Sequence, residues 1–402
     1  MRPTPSAFQV IREATRPLRS WLESGHASTT AASTTPGYAS FLRALHTVYG
    51  ELEHATMTCT REALRNAQPY LAERRRELER HLLERGDDPH AIDAAALQAL
   101  VLGQHVRRDA ARNDAALVGY IEVLETSPAT AALTQRPSAD NAVLAELESS
   151  LTSDAELTEA IVGAKHALEW LETIRDAIAT GRLDDGLAGA LNREAGTHAI
   201  ARDLREVHAA LLAGERSREA WSYYQARYGE RGLRFTRSDS AWLVTLSRET
   251  PELATRQITW LGRVLAARGM PRFLLECHLE VLHDQLTAFV PERATAYDAL
   301  RRIAAELANE RRTLLSDAES DALAREFVVG DTTADTTVKL HVPPLEAGKL
   351  IVAAALDEAS GVPGAAQSLC HWLEDPARFP TAWRDAVART LQATRAALSR
   401  SN

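Results

Sequence analysis

Apolar side chains return every three or four positions along almost the whole chain and hardly ever alternate, and that period fixes the class: helices, not sheets. Phe8, Ile11, Leu18 and Leu22 fall on one side of a helix, and Phe41, Leu45, Val48, Tyr49 and Leu52 do the same on the next. Alanine, leucine, arginine and glutamate, all good helix formers, dominate the composition. Lysine stands only at 165, 339 and 349, so the positive charge is carried by arginine. After the first helix, the pattern predicts helices over about 38–66, 70–83, 90–108, 112–126, 139–150, 154–180, 187–213, 216–228, 238–247, 251–268, 271–288, 292–316, 345–359 and 379–399. Pro69 marks the end of one of them or its junction with the next.

One region departs from this period. Phe327-Val328-Val329 and Thr336-Thr337-Val338-Lys339-Leu340-His341-Val342 flank a polar turn and stop at Pro343-Pro344, the pattern of a short β-hairpin over 326–342. The expected fold is therefore all-α, a multi-helix bundle of two domains. The first covers 1–228. A C-terminal helical domain, 229–402, carries the hairpin, and the glycines and polar residues around 229–240 mark the boundary.

Length and charge narrow the function classes. The chain has 402 residues, 45% hydrophobic and 25% charged, an ordinary globular balance, and a net charge of −9 gives no support to polyanion binding. Nucleic acid is not an expected partner. No apolar run approaches the roughly 20 residues of a membrane span, and Met1-Arg2-Pro3-Thr4-Pro5 lacks the apolar core of a signal peptide, so the chain reads as cytoplasmic with no membrane partner. Cys59, Cys277 and Cys370 are an odd, scattered set without a CxxC, which argues against disulfides and thiolate zinc. The expected partner is a small molecule or a protein, and homodimerisation is left open.

The run Ile11-Arg12-Glu13-Ala14-Thr15-Arg16-Pro17-Leu18-Arg19-Ser20-Trp21-Leu22-Glu23 resembles the first helix of the haem oxygenase family, of the form L-R-x-A-T-x-x-x-H-x-x-L-E. Gly37-Tyr38-Ala39-Ser40-Phe41-Leu42 with Glu51 or Glu53 is similar to that family's second helix, and the 74–83 helix followed by Gly86 to its third. Ala116-Leu117-Val118-Gly119-Tyr120-Ile121-Glu122-Val123-Leu124-Glu125 resembles the start of its distal helix. The resemblance implies a haem-oxygenase-like fold over the N-terminal domain. It does not imply haem degradation. Arg19 stands where the family has its haem-ligating histidine, and a guanidinium is no axial ligand. Thr126-Ser127-Pro128-Ala129-Thr130-Ala131 replaces the family's glycine-rich distal segment.

Three kinds of site are expected from residue chemistry. Iron in a helical bundle needs carboxylates and histidines facing inward. Glu159, His166, Glu194, His198, Asp203 and His208 form the richest candidate metal set, whereas Glu51-x-x-His54 and Glu280-x-x-His283 lie off the apolar stripes and read as exposed ion pairs. Cys370-His371 places a thiol beside an imidazole, but adjacent helical side chains diverge by about 100°. The stretch from Trp221 to Trp242 is the most distinctive, gathering Tyr223, Tyr224, Tyr228, Phe235, Arg227, Arg231, Arg234 and Arg237 in a chain poor in aromatics. Such a stretch suits a planar or anionic ligand or a partner surface, or else a domain junction pinned by aromatic packing. Arg19, Tyr224, Arg227 and Arg231 are the candidate cofactor-binding residues. The cofactor is unassigned; haem is not expected and iron is left open. The leading functional expectation is a haem-oxygenase-like protein without haem ligation, in a binding or redox role. A non-haem diiron oxidase and a non-enzymatic interaction scaffold are the alternatives.

Overall fold

The computed structural model describes residues 5–24, 36–127, 130, 141–179, 187–196, 198–329 and 342–401. Among them are eighteen α-helices, one 3-10 turn and no strand, the one extended pairing being an isolated bridge between Ala91 and Asp203. All-α is the observed class. Most of the expected hairpin, 330–341, lies outside the described residues, and the described 327–329 carry no strand. The chain divides into two compact units, Met1–Arg193 with Arg202–Leu204, and Glu194–Ala201 with Arg205–Asn402.

The first unit holds α1 (Ala7–Ala14), α2 (Arg16–Ser24), α3 (Pro36–Met57), α4 (Glu62–Glu84), α5 (Ala94–Arg112), α6 (Ala115–Thr126), α7 (Asn141–Ser149), α8 (Asp154–Ala179) and α9 (Leu187–Leu191). At its centre is α6, in which every residue from Ala115 to Glu125 is buried, the signature of a helix apolar all round. It meets α8 through two glycines. A Cβ at Gly119 would overlap the Ala160 carbonyl, and one at Gly163 would overlap the Ala116 carbonyl, so the two backbones touch only because neither position has a side chain.

Two buried carboxylates on α6 are neutralised in place. Glu122 takes Arg12 Nε at 2.8 Å and pairs with Arg19, while Glu125 accepts from Tyr49 at 2.6 Å, Tyr70 at 2.5 Å and Arg74 Nε at 3.3 Å. A buried charge without such partners would be strongly destabilising. Pro69 lies inside α4 instead of ending it; the flanking turns bury Leu64, Ala67, Leu71 and Leu78, and that packing outweighs the one backbone bond a proline removes.

The second unit contains α10 (Leu204–Ala220), α11 (Ser222–Leu246), α12 (Pro251–Ala267), α13 (Arg272–Phe289), α14 (Ala294–Leu314), α15 (Asp317–Arg325), α16 (Pro344–Ala359), α17 (Ala365–Leu373) and α18 (Thr381–Ser401). Its most buried helix is α16, where Leu350 to Asp357 are all enclosed and Asp357 accepts from the Arg272 backbone N–H and Nε, each at 2.8 Å. Each unit thus surrounds one buried helix whose carboxylates are met by arginine.

Several expected boundaries move. The single helix expected over 187–213 is α9 and the start of α10, separated by a non-helical stretch that contains Asn192 and Gly196. The break expected at 229–237 is a kink, because only Gly229 (φ 53°, ψ −145°) leaves helical dihedrals within α11. The units divide at 193–205, upstream of 228/229. Two helices, α15 and α17, were not expected from the pattern. A capping box, Ser316 with Glu319, starts the former.

Candidate functional site

The Trp221–Trp242 stretch does two jobs in the second unit, packing and lining a cavity. Before the kink it packs: Tyr223 is fully buried against Trp372, ring centroids 5.4 Å apart, and Arg227 reaches across Tyr223, Tyr228 and Trp372 at 5.8, 5.3 and 6.0 Å. Arg227 donates to Tyr223 Oη at 2.6 Å and to the carbonyls of Arg268 and Ser368, both at 3.1 Å. The turn that receives it requires Gly269, whose φ of 84° and missing Cβ leave room for the guanidinium. Aromatic pinning of this segment is therefore real.

On both sides of the kink the same helix lines a cavity of about 410 Å³, a volume suited to a small molecule. Its wall is mostly apolar and aromatic, including Tyr224, Phe235, Leu243, Leu261, Leu265 and Leu275, with Arg218, Arg227, Arg231 and Arg268 among the polar groups. Their partners differ. Arg231 is balanced by Glu194 at 2.7 Å, whereas among the described residues neither Arg227 nor Arg268 has a carboxylate within ion-pair distance.

The cavity also holds a closed polar element. His278 on α13 is buried and sits between two hydroxyls, Ser217 Oγ at 2.9 Å from Nδ1 and Ser240 Oγ at 2.9 Å from Nε2. Burial lowers its pKa to about 4, so the imidazole is neutral at pH 7. A neutral ring has one N–H, so one serine accepts from it and the other donates to it. Nearby in the wall, burial pushes the Asp239 carboxyl up to about 6. A cleft holding perturbed titratable groups is the usual mark of a functional site. Nothing local in the sequence marks His278; only the three-dimensional approach of Ser217 and Ser240 shows how its ring is satisfied.

The expected sites fare as follows. Tyr224, Arg227 and Arg231 all line the cavity. Arg19 belongs to the first unit, bonded through Nε to Thr15 Oγ1 at 3.0 Å and paired with buried Glu122, an arrangement that does not fit an axial haem ligand.

The candidate metal set does not gather: among the described residues no group of three or more His, Cys, Asp or Glu side chains is placed to hold a metal. Glu159 pairs with Arg112 at 2.5 Å, and His166 Nδ1 meets Asp109 at 2.8 Å beside Tyr120. Glu194 is taken by Arg231 and Arg234, His198 lies edge-on to Trp242, and His208 edge-on to Phe289. Asp203 forms the backbone bridge with Ala91. Arginines, abundant and long, claim the carboxylates first.

The Glu-x-x-His pairs split rather than lying exposed together. Glu51 is buried against Arg107 while His54 is exposed, because α3 is enclosed by both α4 and α5; His283 is buried beside Asp284 and Glu280 is exposed. Cys370 is buried and its thiol is pushed up to about 12 by that burial, while His371 faces solvent.

A second cavity, about 580 Å³, lies in the first unit near His54, Cys59, Arg107, Arg112 and Asp114. Its arginines face carboxylates, Arg107 with Glu51 and Arg112 with Glu159. No protein-family model, curated protein or solved structure matches the chain. No helix among the described residues is long and apolar enough to cross a membrane.

Proposed function

We propose that the chain is a small-molecule-binding protein whose site is the second-unit cavity, and that its ligand combines an apolar or planar body with an anionic group. The observation that carries this reading is the wall itself: an apolar lining that sets Arg218, Arg227, Arg231 and Arg268 against the carboxylate of Asp239, with Arg227 in no ion pair among the described residues. An arginine held in place without an acidic partner is preorganised for an anion that arrives with a ligand. The haem-oxygenase-like relationship of the N-terminal helices belongs to the same proposal as a scaffold, with Arg19 serving Glu122 instead of a haem.

The test is a fluorescence titration of the full chain with 8-anilinonaphthalene-1-sulfonate, a planar anion. Saturable binding is expected, weakening as salt rises and lost in Leu265→Trp, where an indole fills the cavity. Binding that Leu265→Trp leaves intact would place the ligand elsewhere. Iron analysis of the purified protein separates the oxidase alternative, which requires stoichiometric metal.

A further inference from the structure

We infer that the ligand of this cavity is a zwitterion, an α-amino acid with an aromatic or bulky apolar side chain, whose carboxylate is taken by Arg268 and whose ammonium group is taken by Asp239. This rests on the binding reading above and names its ligand class. Arg268 and Asp239 line the same cavity, and the carboxylate feels the guanidinium charge, yet among the described residues the two make no ion pair. The other arginines of the wall are engaged. Arg231 pairs with Glu194 at 2.7 Å, Arg227 bonds Tyr223 and the carbonyls of Arg268 and Ser368, and Arg218 bonds Gln225 and the Gly229 carbonyl. Backbone fixes the two charges that remain open: Asp239 is set within α11, and Arg268 closes α12 with its carbonyl accepting from Arg227 Nη2 at 3.1 Å and Tyr228 Oη at 3.2 Å.

An α-amino acid answers both at once. Its carboxylate accepts from the guanidinium, and its ammonium N–H bonds donate to the aspartate. A plain anion satisfies only Arg268 and is repelled by ionised Asp239; a plain amine meets the reverse. The Ser217–His278–Ser240 chain is uncharged at pH 7 and adds only neutral hydrogen bonds, while Tyr224, Tyr228, Phe235, Leu261 and Leu265 are wall for the side chain. Asp239 also makes the assignment readable by pH. Burial raises its carboxyl to about 6 against the pull of His198, on the segment before α10, and of Arg268. Arg218 of α10, Tyr224, Arg227, Tyr228 and Arg231 of α11 and His278 of α13 are the other charged or titratable groups of the wall. At pH 5.5 about a quarter of Asp239 is ionised, so affinity for the amino acid falls about fourfold from its value at pH 7.5, whereas affinity for a plain carboxylate rises.

Isothermal titration of the full chain with L-phenylalanine, 3-phenylpropionate and 2-phenylethylamine at both pH values tests this. L-Phenylalanine is expected to bind at least about tenfold tighter than either analogue at pH 7.5. Asp239→Asn should bring it down to the level of 3-phenylpropionate and abolish the opposite pH trends of the two, which His198→Gln should retain. Arg268→Gln should weaken both carboxylates about five- to tenfold and leave the amine no weaker. If 3-phenylpropionate binds as tightly as L-phenylalanine at pH 7.5, or Asp239→Asn binds the amino acid normally, the assignment is overturned. If anilinonaphthalene sulfonate binds but L-phenylalanine neither binds nor displaces it, the ligand class is wrong while the binding reading stands. If neither binds, both fall.

Discussion

The two cavities of this chain carry similar residue types and opposite electrostatics. In the first unit each prominent arginine of the wall faces a carboxylate, Arg107 with Glu51 and Arg112 with Glu159, just as the buried Glu122 and Glu125 of α6 are met by Arg12, Arg19 and Arg74. In the second, Arg227 is held by tyrosine and backbone carbonyls, and Arg268 makes no ion pair among the described residues, with Asp239 in the same wall the carboxylate that feels its charge. Paired charge explains itself as folding chemistry. Unpaired charge in a lined cavity calls for a partner from outside, and this difference, more than volume, singles out the second unit.

The comparison can be strained first where the compensation is deepest. Arg74→Met leaves Glu125 buried with two tyrosine hydroxyls, and a loss of about 3–5 kcal/mol is expected in urea unfolding. A loss below about 1 kcal/mol would mean that the buried pairs of the first unit are dispensable. Next comes acid. Burial lowers His278 to about 4 and His46 to about 3, so the unfolded chain binds protons that the folded one refuses. Their contribution is complete above the ordinary value of 6.5 and is lost as pH falls toward those values, about 3 kcal/mol for His278 by pH 4.

Asp239 opposes this trend. Its carboxyl is raised to about 6, so folding is favoured by its protonation and loses stability as pH rises from 3.8 through 6. Asp239→Asn should therefore steepen the net acid loss between pH 6.5 and 4 in the same unfolding series. An unchanged slope contradicts the assignment.

Smaller effects follow. Gly119→Ala should lower stability by about 1–3 kcal/mol, since the added Cβ meets the Ala160 backbone and not a movable side chain. Ser316→Ala removes the capping box of α15 and is expected to lower stability by about 1 kcal/mol. Arg268→Gln should alter the thermal unfolding free energy by less than about 0.5 kcal/mol. A larger loss would show an unrecognised structural role and weaken its contrast with Arg74.

What could be read in the sequence tracks what physics is local. Period and composition give all-α, and the density of rings and guanidinium groups from Trp221 to Trp242 points to the stretch that lines the cavity. Tyr224, Arg227 and Arg231 could be named on that ground. Their partners could not, because nothing local indicates that Glu194 would meet Arg231 or that Arg227 would be held by the carbonyls of Arg268 and Ser368. The histidine-and-carboxylate set failed for the same reason, since in an arginine-rich chain spacing alone does not tell which carboxylates are already claimed. Ser217, Ser240 and His278 come from three helices, and only packing unites them. The kink at Gly229 looked like a boundary because a glycine between polar residues is the same signal for a turn and for a bend within a helix. The capping box of Ser316 and Glu319 that starts α15 is a local signal that the apolar period alone does not register.

Methyl NMR of the full chain titrated with anilinonaphthalene sulfonate tests the central claim most directly, because it reports where a ligand sits. Shifts confined to Leu243, Leu261, Leu265, Met270 and Leu275 are the expected result. Shifts centred instead on first-unit methyls such as Leu64 and Leu71, or none at saturating ligand, would contradict the placement of the site.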